Sequence, residues 1–70
     1  MIEVFKTNIT QADLAERLKV ELNEHLPAAR INFDLEDCDH ILRVEVDAPQ
    51  AVIFVQRHLQ QHGFSCEALE

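Results

Sequence analysis

The apolar residues of this chain change their spacing in mid-sequence, and that change constrains its architecture more than any other feature. Leucines first recur every four residues, at Leu14, Leu18, Leu22 and Leu26. Ala15 lies beside them, and Glu16, Arg17, Lys19, Glu21 and Glu24 take the other faces. This is the period of an amphipathic helix. From Arg30 the period falls to two: Ile31, Phe33 and Leu35 point one way, and Asn32, Asp34 and Glu36 the other. After Asp37-Cys38-Asp39-His40 the alternation resumes, with Leu42, Val44 and Val46 inward and Arg43 and Glu45 outward. Two half-buried strands about a polar, acidic turn form an antiparallel hairpin.

The flanking segments complete the pattern. Ile2–Thr7 is rich in β-branched and aromatic residues and predicts a strand. Thr10 is placed to cap the following helix, with Asp13 complementing its positive end, and Pro27 ends it. Asp47 and Gln50 stand at capping-box spacing around Pro49, which suits a helix's first turn, and the single glycine, Gly63, closes that second helix. Phe64, Cys66 and Ala68 then share one face of a short last strand. The order strand, helix, strand, strand, helix, strand predicts one α+β domain over residues 1–70. It is a ferredoxin-like βαββαβ sandwich with a four-stranded antiparallel sheet and both helices on one face.

Charge removes several functions. Thirteen acidic residues against six Lys plus Arg give a net charge of −7, which repels nucleic-acid phosphates and anionic lipid, so neither nucleic acid nor membrane is an expected partner. Met1–Thr10 lacks the basic start and apolar run of a signal peptide, and the longest strictly apolar run is Ala51–Val55. A cytoplasmic protein with reduced cysteines is expected. Leu69-Glu70 reads either as native sequence or as a cloning scar. No nucleophile stands at recognisable spacing from a base and no glycine-rich phosphate loop is present, so no enzyme is expected.

In this topology the loop after the first strand, the central hairpin turn and the segment His62-Gly63-Phe64 lie at one end of the sheet, with His25 at the other. Phe5-Lys6-Thr7-Asn8-Ile9, the apolar positions Val52, Val55 and Leu59, and the pair Gly63-Phe64 resemble the heavy-metal-associated domain family. That family comprises small copper chaperones and the N-terminal modules of copper and zinc transport ATPases. The resemblance implies binding of Cu(I) or Zn(II) by a Cys-x-x-Cys pair in the first loop, where soft thiolates meet a helix N-terminus. In this sequence Gln11 and Leu14 occupy the two cysteine positions, so the copper chemistry of the family is not expected there.

Other donors are available. Cys38 and His40 stand two residues apart on the turn, and a composite zinc or copper site of Cys38, His40 and His62 is the candidate metal set. His58 and His62, at i and i+4 on one helical face, have chelating spacing but also suit a plain helix end. Cys66 reads as a buried, inert thiol. The acids Asp34, Glu36, Asp37 and Asp39 lack the glycine and terminal glutamate of a calcium loop and read as a solvated turn. On the second helix Ile53 points away from Val55 with Phe54 at its flank, and Ile2 and Val4 lie on the open sheet face. Ile53 and Phe54 are the candidate surface for a protein partner or self-association. Two functions stay open: a metal-homeostasis accessory or metal-binding module, and a metal-independent interaction or regulatory module with no cofactor.

Overall fold

The computed structural model describes residues 1–69. It contains β1 (Ile2–Thr7), α1 (Ala12–His25), β2 (Arg30–Asp34), β3 (Ile41–Glu45), α2 (Pro49–Gln61) and β4 (Cys66–Ala68). The strands form one antiparallel sheet in the order β2-β3-β1-β4, the ferredoxin-like arrangement that the periodicity predicts.

Register explains which face is buried. Phe5 lies opposite Leu42 on β3 and Ala68 on β4, while Ile31 lies opposite Val44 and Phe33 opposite Leu42. Cross-strand partners share a face, so these side chains form one apolar layer. It meets Ala15, Leu18 and Leu22 of α1 and Val55 and Leu59 of α2 in one core cluster, which places both helices on the same side. The other face carries Lys6, Arg30, Asn32, Arg43 and Glu45, together with Ile2, which is 59% exposed, and half-buried Val4.

The helix starts differ from the sequence reading. Thr10 does not cap α1; Gln11 is the N-cap, in extended conformation and without a side-chain bond. Fully buried Ile9 anchors the linker in the core and leaves exposed Thr10 one residue too early to reach the first-turn amides. The Asp47–Gln50 box is not made either. Pro49 stands in the first turn as expected, and Ala48 before it is held extended at φ −137° and takes the cap position. The same effect ends α1, since Leu26, ahead of Pro27, leaves the helical region at φ −129° and ψ 72°.

The end of α2 follows from Gly63. Its φ of +85° is open to glycine at little cost, and it allows the Gly63 amide to donate to Gln60 O (3.0 Å) and the Phe64 amide to Leu59 O (3.0 Å). These two bonds are a Schellman cap, which turns the chain back toward β4. β4 begins at Cys66, later than the apolar alternation suggests, and Phe64 packs half-buried against the core. Leu69 extends the pairing, its amide donating to Val4 O (2.8 Å). Glu70 lies outside the described residues.

Thr7 fastens the hairpin to the first loop. β2 stops at Asp34, and Asp37 organises the turn: its Oδ1 accepts from the Asp39 amide (2.9 Å) and its carbonyl from the His40 amide (3.0 Å). His40 takes a left-handed φ of 48°. The buried Thr7 hydroxyl donates to His40 O (2.6 Å) and accepts from the Ile9 amide (3.3 Å), while the Thr7 amide donates to Asp39 O (3.2 Å). Replacing the hydroxyl by a methyl leaves a carbonyl and an amide without their partner. Thr7→Val should therefore lower unfolding stability by about 1–3 kcal/mol in urea titration, with Thr7→Ser closer to wild type.

Candidate functional site

The three segments expected at one end of the sheet do meet there. Besides the Thr7 contacts, Asn8 Oδ1 accepts from the Ser65 amide (3.0 Å), and Lys6 Nζ lies 3.7 Å from Asp39 Oδ1. The loop itself offers no soft ligand. Gln11 is exposed, and Leu14 is half-buried against the core. A neutral amide and an alkyl chain do not fit the copper ion that the family resemblance implies.

Cys38, His40 and His62 are not brought together. Among the described residues, two groups place three ligand atoms within 4.8 Å of one another, Asp37–Cys38–Asp39 and Glu21–His58–His62. His62 belongs to the second, and His40 to neither; its Nδ1 is enclosed without a hydrogen-bond partner. The hairpin group is built from exposed or half-exposed side chains whose carboxylates already have contacts, Asp37 with the Asp39 amide and Asp39 with Lys6.

The other group sits on the seam between the helices. Glu21 Oε1 lies 3.2 Å from His58 Nε2 and 3.9 Å from His62 Nε2. The His58 side chain is mostly covered, at 14% exposure, while that of His62 is 47% exposed. His62 Nδ1 is 2.8 Å from the carbonyl oxygen of His58. A carbonyl only accepts, so Nδ1 carries the proton, and in the neutral ring Nε2 is left with its lone pair toward Glu21. A row of rings continues along the seam: His62 to His58 at 4.4 Å between centroids, His58 to Phe54 at 5.8 Å, and Phe54 to His25 at 5.2 Å.

That row draws on both helices. Phe54 is half-buried beside the imidazoles of His25 and His58, Ile53 is 51% exposed, and the two line one shallow surface depression with Arg57 and His58. His25 joins the same seam as His58. Sequence reasoning noted the His58–His62 spacing but missed Glu21. The available signal was that Glu21 and His25 repeat the i, i+4 spacing on α1, where antiparallel packing sets 25 against 54 and 21 against 58.

The cysteines differ as their surroundings require. Cys66 is buried, and desolvation pushes its thiol up from the usual 9.0 to about 12, whereas Cys38 is exposed. No helix among the described residues is long and apolar enough to cross a membrane. No family model, curated protein or solved structure matches the chain.

A thiol reagent at pH 8 should label Cys38 quickly and leave Cys66 until the protein unfolds, as mass spectrometry of the Cys38→Ser variant would show. The unfolded thiol ionises above 9.0 and the folded one only near 12, so burial of Cys66 contributes stability below pH 9 that is lost progressively between these values.

Proposed function

We propose that the chain is a small, non-enzymatic metal-homeostasis module of the cytoplasm. In this reading it uses a scaffold like that of the heavy-metal-associated domains to hold a borderline divalent ion, such as zinc, rather than to carry Cu(I). The observation that carries this reading is the exchange of donors. The first loop of a ferredoxin-like fold presents Gln11 and Leu14, while convergent imidazole and carboxylate ligands stand elsewhere on the same fold.

Donor chemistry sets the cargo. Thiolate pairs select Cu(I), whereas imidazole with carboxylate suits Zn(II), Ni(II) or Cu(II). The net charge of −7 adds a field that draws cations toward the molecule.

Binding to the folded state alone raises stability with ligand concentration. Zn(II) at a hundred times its Kd should contribute about 2.7 kcal/mol, a rise in thermal midpoint on the order of 10 °C for a domain of this size. Cu(I) offered with a competing chelator should stay with the chelator. A thermal midpoint unmoved by Zn(II), Ni(II) and Co(II) across the accessible range would sink the proposal.

A further inference from the structure

The seam between α1 and α2 holds an arrangement that hydrogen bonding leaves incomplete. With its Nδ1 proton given to the His58 carbonyl, neutral His62 directs an Nε2 lone pair at Glu21 Oε1, 3.9 Å away, and the carboxylate oxygen is an acceptor too. Two acceptors facing each other call for a cation between them, which a proton on Nε2 or a metal ion supplies, and the convergence of a third ligand atom favours the metal. The same Oε1 lies 3.2 Å from His58 Nε2, and the three ligand atoms converge within 4.8 Å. A tetrahedral ion with bonds of about 2.0–2.2 Å spaces its ligand atoms roughly 3.3–3.6 Å apart, a range that the two measured separations bracket. Metal-binding imidazoles typically donate their second nitrogen to a carbonyl or carboxylate, the bond that His62 already makes.

We infer that Glu21, His58 and His62 form a two-histidine, one-carboxylate site for a tetrahedral divalent ion of the zinc class, bridging α1 and α2. This rests on the metal-binding reading above and assigns that function a place. On taking up the ion, His58 turns its Nε2 lone pair to the metal and moves its proton to Nδ1, and Glu21 exchanges its imidazole contact for a metal bond. Three protein ligands leave a fourth position to water or to a donor from another molecule. The hairpin group differs in its setting: Asp37 and Cys38 are exposed on one turn, whereas Glu21 and His58 are half-buried and come from two elements.

The site can be tested by titrating Zn(II) into reduced, uniformly labelled protein while following backbone amides and imidazole nitrogens. One-to-one saturable binding is expected, with the largest shifts at Glu21, His58 and His62. Glu21→Gln and His62→Gln should each weaken binding at least tenfold, and Cys38→Ser should leave it unchanged. Glu21→Gln keeps a hydrogen-bond acceptor for His58, so its unliganded spectrum should match that of the wild type and serve as the check on folding. Wild-type affinity in both variants, or shifts confined to Asp37–His40, would overturn the seam site while leaving a metal-binding function standing. No saturable binding of any divalent ion would overturn both.

Discussion

Phe5 is the residue on which the sheet and the core both depend. It stands on β1, an inner strand of the sheet, opposite Leu42 on one side and Ala68 on the other, and none of its surface reaches solvent. Burial of such a side chain contributes on the order of 1.5–3 kcal/mol, a large share of the margin available to a domain that buries only about 60% of its unfolded surface. Pairing on both flanks also fixes the helices, because α1 leaves from the end of β1 and the cap of α2 returns the chain to its edge. Contacts beyond the ladder close the ends: the Val46 amide donates to Met1 O (2.9 Å), and the amino terminus donates to Val46 O (2.8 Å).

The sequence was most legible where one residue's chemistry decides a conformation alone. Gly63 predicted its left-handed cap, Pro27 and Pro49 marked helix boundaries, and the alternation through Ile31 and Val44 set the sheet face. Reading failed where two segments compete. Thr10 has good capping chemistry, but Ile9 is drawn into the core and fixes the linker first. Asp47 has the spacing of a capping box, but Pro49 constrains Ala48 before Asp47 can act.

The candidate site was legible only in half. The spacing of His58 and His62 belongs to one helix and can be read directly, whereas their relation to Glu21 depends on how far α1 slides along α2. Core packing sets that offset through Leu18, Leu22, Val55 and Leu59, none of which touches the question of ligands. The hairpin had the opposite problem. Cys38 and His40 look like ligands in sequence, yet Asp37 and Thr7 use the turn's polar groups to hold its shape. The ion pairs Lys6–Asp39 and Arg30–Glu45, exposed at 3.7 and 4.0 Å, contribute little beside those bonds.

The tether from His62 Nδ1 to the His58 carbonyl has a consequence for how firmly a bidentate ligand pair can grip. Two imidazoles on a free helix end each rotate about two bonds, and closing a chelate ring freezes both. Here the second ring hangs from the backbone of the first, and His58 is itself wedged between Phe54 and Glu21. Most of that rotational freedom is lost when the chain folds. An ion offered to this seam would therefore meet two rings already partly ordered by the fold, and closing a chelate on them would carry a smaller entropic penalty than on a free helix end.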